Sequence, residues 1–551
     1  MKLLIVGGVA GGASAAARAR RLSEEAEIIM FERGPDVSFA NCGLPYYVGG
    51  EIATRDKLLV TTPERLHDRF RLDVRTRTVI EAIDRQKKVI RARDLNSDRV
   101  YEESYDKLIL APGAAPLRPP LPGIDLPGIY TLRNLQDVDR IKQGVDQGVR
   151  QAVLLGGGFI NLELAENLVR RGVATTIVEK NNQVLTPFDP EMTTPIVEEL
   201  TARGVALRLG DAAEALVADP EGVRVRLTSG VELPAQLVVV GIGVRPENSL
   251  AVEAGLAVGP RGGIQVNEYL QTSDPDIYAV GDAIEVLDYI TNEPTQIPLA
   301  GPANRQGRIA ADNVFGRQST YRGTQGTAIL GFFDRTIAIT GASEKALRRA
   351  NRPYRKVYIH PAHHAGYYPG AEGMSLKVLF EPDTGKILGA QGVGGAGVDK
   401  RIDVIAAAIQ GWMTVFDLEE MELCYAPQFG SAKDPINMAG FVAAGLLRGD
   451  HPQQDIEVIL DAPTSDRPFV LDVRTETEYA SGHIPGAVNI PVDELRSRLH
   501  ELPRDQEIAA YCQVGQRGYI ATRILNQLGF RAANLGGGYK TYRLHYPGGT
   551  S

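Results

Sequence analysis

Leu3-Leu4-Ile5-Val6-Gly7-Gly8-Val9-Ala10-Gly11-Gly12-Ala13-Ser14-Ala15-Ala16-Ala17-Arg18 decides the fold. An apolar run, a glycine-rich turn and an alanine-rich run predict a buried strand, a tight turn and a helix, the setting in which such glycines bind dinucleotides. The helix start offers free N–H groups and the positive end of a dipole to a pyrophosphate. Gly7, Val9, Ala10 and Gly11 are the expected contacts, with Val9 standing where the strict pattern has its second glycine. The next apolar run, Glu27 to Phe31, ends at Glu32, whose carboxylate can accept ribose hydroxyls.

The pattern recurs in Val153-Leu154-Leu155-Gly156-Gly157-Gly158-Phe159-Ile160-Asn161-Leu162-Glu163. Gly156, Gly158, Phe159 and Ile160 are the second set of expected cofactor contacts. The following strand ends at Glu179, and an acid there favours the free 2′-hydroxyl of NADH over the 2′-phosphate of NADPH. Asn161 replaces a third glycine and is expected to loosen the helix–strand contact or shift the helix start. Two units imply two dinucleotides, one of which can be a tightly held flavin. Thr272 to Ala283 resembles the second flavin motif, which places Gly281 and Asp282 at the ribityl chain. Leu108 to Gly113, with Ala111, Pro112 and Gly113 at the cofactor, and Val240 to Pro246 look like links between nested dinucleotide domains.

The 551 residues contain three cysteines, Cys42, Cys424 and Cys512, too far apart in sequence for a C-x-x-C or C-x4-C pair. Redox chemistry at Cys42 therefore needs an external sulfur. Its surroundings, Ser38-Phe39-Ala40-Asn41-Cys42-Gly43-Leu44-Pro45-Tyr46-Tyr47, form a polar loop between two glycine-rich helix starts, which is expected to favour the thiolate. Ser14, Arg18 and Arg21 fall on one helix face. With Arg20, Arg65, Arg69 and Arg71 they can form a cationic patch.

Hydrophobic residues at 43% and charged residues at 23% are ordinary for a globular chain, and a net charge of −8 argues against nucleic acid as a general partner. With no leader-like start and no run of 18 apolar residues, no membrane association is expected; a cytoplasmic protein with reduced thiols is.

From about residue 1 to 445 the chain resembles the single-cysteine branch of the pyridine nucleotide-disulfide oxidoreductases, most closely the coenzyme A-disulfide and coenzyme A-persulfide reductases. The stretch around Cys42 carries that resemblance. It implies FAD and NADH as cofactors and adds Arg33, Asn41, Val79 and Ala300 to their contacts. It also implies coenzyme A, bound or in mixed disulfide with Cys42, at Ser14, Arg18, Arg21, Ser38, Asn41 and Arg71, where Arg69 or Arg71 stands in for a family lysine. Residues 327–445, with His363 to Ala371 and Leu423 to Pro427, resemble the family's dimerisation domain. Tyr367 and Tyr425 would then reach the partner's cysteine site in a homodimer, each phenol able to donate to sulfur. Gln428 departs from a proline common after Ala-Pro. His360, His363 and His364 have no ligand set beside them in the sequence, and no metal is expected.

Residues 446–456 read as a linker. Beyond it, Leu471 to Arg474, Gly482 to Ala487 and Tyr511-Cys512-Gln513-Val514-Gly515-Gln516-Arg517-Gly518 resemble a rhodanese domain, expected over 457–551. Cys512 would sit in a nest of N–H groups that holds a persulfide anion, with Arg517 beside it.

The expected fold class is α/β: two nested Rossmann-like dinucleotide-binding domains (FAD, 1–112 and 243–326; NADH, 113–242), an α+β dimerisation domain and a C-terminal α/β rhodanese domain. The expected activity is NADH- and FAD-dependent reduction of coenzyme A-linked or small-thiol persulfides, or polysulfide, at Cys42, with coenzyme A-disulfide reduction as the alternative. A peroxide reductase would not need a sulfurtransferase. A non-catalytic redox sensor or sulfur-carrier platform is the reading from another class.

Overall fold

The structure is a computed structural model that describes residues 1–463 and 466–548. Residues 464–465 and 549–551 of the expected rhodanese span lie outside the described residues. Two compact units emerge: residues 1–184 with 201–324, and residues 185–200 with those from 325 on.

The first unit builds one architecture twice. Strands Ile277–Ala279, Lys107–Leu110, Lys2–Val6, Glu27–Phe31 and Asp73–Arg75 form a parallel sheet in that order. Its central strand is apolar from Leu3 to Val6 because both faces are covered, and Leu3, Leu4 and Ile5 are fully buried. An antiparallel trio, Thr78–Asp84, Val89–Asp94 and Val100–Ser104, follows. The second copy is a parallel sheet ordered Ala206–Leu209, Ala174–Glu179, Gln151–Leu155, Leu237–Val240 and Ile129–Tyr130, again with an antiparallel trio. The two connecting segments pair as Ala114–Pro116 against Val244–Pro246, and the chain then returns to the first sheet at Ile277. This is the nested arrangement expected from the sequence.

Helix Ala300–Val314 crosses helix Ala10–Leu22 at a glycine: a Cβ on Gly307 would lie 2.1 Å from the Gly11 carbonyl oxygen. The crossing brings Asn304 to Ser14 at 2.5 Å and Asp312 to Arg18 at 2.6 Å.

In the second unit an antiparallel sheet runs Ala328–Phe332, Arg335–Gly341, Ile387–Gly394, Met374–Phe380 and Arg355–Ile359, with helices Val398–Gln410 and Pro435–Arg448 packed beside it. A parallel sheet follows in the order Gln453–Gln454, Ala532–Leu535, Ile508–Tyr511, Phe469–Asp472 and Val488–Asn489. The expected linker 446–456 is a correction. The last helix turn runs to Arg448, Gly449 caps it in the left-handed region at φ 75°, and Gln453–Gln454 is already the edge strand of the next sheet.

Residues 185–200, expected inside the NADH-binding span, belong to this second unit. They supply two acids to a buried charge cluster. Lys377, fully buried, holds Asp189 at 2.8 Å and Glu191 at 2.6 Å and also pairs with Glu344. Lys356 bridges Glu344 at 3.1 Å and Glu457 at 2.6 Å. Burial alone would push the Glu344 carboxyl up, but Lys377 and Lys356 pull it down to about 2. The three carboxylates Asp189, Glu191 and Glu344 have the spacing of a cation site, and the Lys377 ammonium already occupies it.

Candidate functional site

The two glycine turns are built for close backbone approach. Gly7 has φ 101°, and a Cβ there would lie 2.0 Å from the Ala111 carbonyl oxygen; at Gly12 it would lie 1.8 Å from the Gly7 carbonyl oxygen. Gly156, at φ 102°, repeats this against Gly241. Neither following helix has a side-chain cap at Val9 or Gly158, which leaves the first N–H groups for an anion. Glu32 accepts from the Gly8 and Gly34 amides at 2.9 and 2.7 Å, and Glu179 from the Gly157 and Asn181 amides at 2.7 and 2.8 Å. Each acid therefore sets the shape of its turn, with one backbone amide on each carboxylate oxygen. The cradles fit two dinucleotides.

Asn161 corrects an expectation. Its amide donates to the Leu155 and Gly156 carbonyl oxygens, each at 2.8 Å, and it is fully buried. It fastens the helix to the strand end instead of loosening it, and the helix starts at Phe159.

Cys42 lies in a single turn, Asn41–Gly43, that leads into helix Leu44–Gly49. Ser38, at φ 47°, donates its amide to the Gly8 carbonyl oxygen at 2.8 Å and ties this segment to the first turn. The residue is exposed, yet burial of the sulfur and then the charge of Glu163 push the thiol up; a backbone hydrogen bond pulls it down by less, and Asp282 adds a weaker push up. The expected preference for thiolate is not produced by these protein groups. Asp282 follows strand Ile277–Ala279 within the turn Gly281–Ala283, and burial pushes its carboxyl up. Gln306 of the Ala300 helix accepts the Gly281 amide at 2.8 Å. Val79 lies in strand Thr78–Asp84, and Arg33 pairs with Glu247 at 3.1 Å.

Glu163, on the helix after the second turn, was not singled out by sequence. Burial raises its carboxyl to about 7, with the Tyr46 hydroxyl, at 3.3 Å, pulling the other way.

A cleft of about 500 Å³ is lined by Ser14, Arg21, Ser38, Arg65, Arg69, Asn304 and Arg308, among others. Ser14, Arg21 and Ser38 were expected there. Arg18 is turned to Asp312, and Arg20 spends its guanidinium on the carbonyl oxygens of Phe70, Ser23, Glu24 and Arg71, so neither joins the lining. Arg71 caps helix Pro63–Phe70 in the left-handed region and is not part of the lining; Arg69 is. Asn304 and Arg308 are not singled out by sequence, although their i, i+4 spacing is legible about 20 residues beyond the second flavin-like motif.

In the second unit Tyr367 and Tyr425, 58 residues apart, meet hydroxyl to hydroxyl at 3.0 Å, and both are exposed. His360 bonds Ser375 and Thr541 at 2.8 and 2.9 Å, and the rings of His363 and His364 pack 4.1 Å apart.

Cys512 leaves strand Ile508–Tyr511 and precedes helix Gln516–Gln527; it is 1% exposed. The Gly515 amide, at φ 101°, donates to its sulfur at 3.2 Å. Arg517 forks onto Glu478 at 2.7 and 2.6 Å, and that carboxylate, together with the Cys512 sulfur, raises its pKa. Beneath the loop, buried Arg474 pairs with Asp472 at 2.7 Å and donates to the Gln513 side chain at 3.1 Å.

A family model described as pyridine nucleotide-disulphide oxidoreductase matches residues 1–307, more than half of the chain. The chain belongs to this family. As a pyridine nucleotide-disulfide oxidoreductase it is a flavin-dependent NAD oxidoreductase that binds FAD and NAD(H). The family's dimerisation domain matches 327–434 and a rhodanese-like domain 454–545. A coenzyme A disulfide reductase of Staphylococcus haemolyticus is 36% identical over 447 residues, 81% of this chain and 100% of its own. The structure of reduced CoADR-RHD from Bacillus anthracis is 49% identical, covers 99% of this chain and 98% of its own, and superposes with a TM-score of 0.96. A NAD-dependent persulfide reductase from A. fulgidus is 36% identical with a TM-score of 0.92, covering 98% of this chain and 100% of its own. No helix among the described residues is long and apolar enough to cross a membrane.

Proposed function

We propose that the chain reduces coenzyme A-linked or small-thiol persulfides, and polysulfide, to thiol and sulfide with NADH, through Cys42. The formed Cys512 loop carries this reading: a buried thiol with an amide on its sulfur and an arginine beside it is a sulfane-sulfur holder, for which a pure disulfide reductase has no use. FAD, which the first glycine turn and Asp282 would hold, would supply the chemistry that links hydride from NADH to an electron pair for sulfur. The protein's part is to place Cys42 against the first glycine turn through Ser38, and to hold the substrate's anionic end in the cleft of Arg21, Arg65, Arg69 and Arg308. Those cations suit the phosphates of coenzyme A. The phenols of Tyr367 and Tyr425 serve the partner's Cys42 in a homodimer, where one can donate a proton to the leaving thiolate. Glu179 disfavours a 2′-phosphate, so NADH is the donor.

The cleft by itself equally favours coenzyme A-disulfide reduction, the activity in the curated relative's name. Steady-state NADH oxidation with coenzyme A persulfide, polysulfide and coenzyme A disulfide separates the two. The account predicts a higher kcat/KM for the persulfides with sulfide released; a higher value for the disulfide reverses the order of the two readings.

A further inference from the structure

The loop that carries Cys512 is held from behind by a helix, and that helix is held by a different domain. The amides of Tyr539 and Lys540, at the start of helix Gly538–His545, donate to the carbonyl oxygens of Cys512 and Gln513 at 2.8 and 3.0 Å. These two bonds fix the backbone of Cys512 and Gln513, the stretch that leads directly to the Gly515 amide on the sulfur. The approach is close enough to demand glycine: a Cβ on Gly538, at φ 64°, would lie 2.2 Å from the Cys512 carbonyl oxygen.

The other side of this helix start rests on the antiparallel sheet of the dimerisation domain. A Cβ on Gly537 would meet Thr541 Oγ1 at 2.0 Å, Tyr358 Cβ at 2.8 Å and His360 Nε2 at 3.1 Å. His360 Nε2 lies 2.9 Å from Thr541 Oγ1, while its Nδ1 lies 2.8 Å from Ser375 Oγ. Both His360 and Thr541 are buried. Burial, with Lys540 adding to it, pushes the imidazole down to about 3, so the ring is neutral and holds one bond on each nitrogen. At the far end of the helix Thr194 donates to the Leu544 carbonyl oxygen at 2.7 Å.

We propose that His360 is a positioning residue for the sulfurtransferase site: through Thr541 it fixes the helix start that holds the Cys512 loop, and with it the Gly515 amide, in place at the sulfur. The rhodanese domain is then not autonomous, and the dimerisation sheet completes its anion nest. The inference rests on the reading of Cys512 as a sulfur carrier.

The test uses the full-length holoenzyme carrying Cys42→Ser and Cys424→Ser, which leaves Cys512 as the sole thiol. Inorganic polysulfide loads it: the thiolate takes one sulfur, a sulfur–sulfur bond forms on Cys512, and a polysulfide shorter by one sulfur leaves with its two charges. Mass spectrometry then follows the lifetime of the persulfide against free coenzyme A as acceptor. Thr541→Val, which keeps shape and removes the hydroxyl, is expected to shorten that lifetime about tenfold, the worth of one positioned hydrogen bond. His360→Leu should do the same, while Thr541→Ser and His360→Gln, which keep a bonding group, should restore it. Should His360→Leu fail to fold, the valine and serine pair decides alone. An unchanged lifetime in Thr541→Val, or a serine variant as impaired as the valine one, overturns the proposal. A wild-type loop that never loads sulfur instead overturns the sulfur-carrier reading, and this inference with it.

Discussion

At Cys42 burial, and after it the charge of Glu163, oppose ionisation and outweigh a backbone hydrogen bond that favours it, with Asp282 a weaker opponent. Glu163 is itself raised to about 7 by burial. A carboxyl whose folded value lies above its unfolded one contributes stability that is present at low pH and lost as pH rises through the folded value. Glu163→Gln is therefore expected to stabilise the protein at pH 8 by about 1–2 kcal/mol, discounted from the full shift because solvent reaches part of the carboxyl, and to be near neutral at pH 4. Urea denaturation at the two pH values checks it; equal effects at both would show that burial does not hold the acid protonated. Removing that charge should also speed alkylation of Cys42 at pH 7. The cysteine and its neighbours were legible in sequence because the motif is continuous. Glu163 was not, because Tyr46, its partner, lies 117 positions away.

The helices show the same boundary between local and distant information. Strand, glycine turn and helix could be read directly, since the constraint is local: Gly12 has no room for a Cβ beside the Gly7 carbonyl oxygen. Gly12→Ala should abolish FAD retention during purification, and a fully yellow variant would contradict the cradle. Helical spacing put Ser14, Arg18 and Arg21 on one face correctly but could not reveal that Asp312, on a helix almost 300 residues later, claims Arg18. Arg20 was misread for a similar reason, since its four carbonyl partners appear only once the chain has folded. At Asn161 a rule for glycine failed because the side chain replaces missing backbone contact with two hydrogen bonds. Asn161→Ala should cost about 1–3 kcal/mol, from the loss of its two buried hydrogen bonds, although the Leu155 carbonyl keeps the Gly241 amide, without changing the ratio of NADH to NADPH use. A changed ratio would assign Asn161 to nucleotide choice.

For the whole molecule, composition and motifs gave the number and kind of domains, but not that the rhodanese sheet begins inside the expected linker or that residues 185–200 join the second unit. Both depend on buried pairings between distant segments, of which Lys377 with Asp189, Glu191 and Glu344 is the densest. Lys377→Met leaves three acids without their central cation and is expected to destabilise by about 3–5 kcal/mol, read as a lower urea midpoint at pH 7, with the loss smaller at pH 4 where the acids can protonate. A neutral effect would mean that the cluster repacks freely. The central claim is that electrons reach the sulfur substrate only through Cys42. It is tested most directly by mixing the FAD-loaded Cys42→Ser protein with NADH and coenzyme A persulfide, while following flavin absorbance and sulfide together. The account predicts prompt flavin bleaching with no sulfide released; sulfide released at the wild-type rate would contradict it.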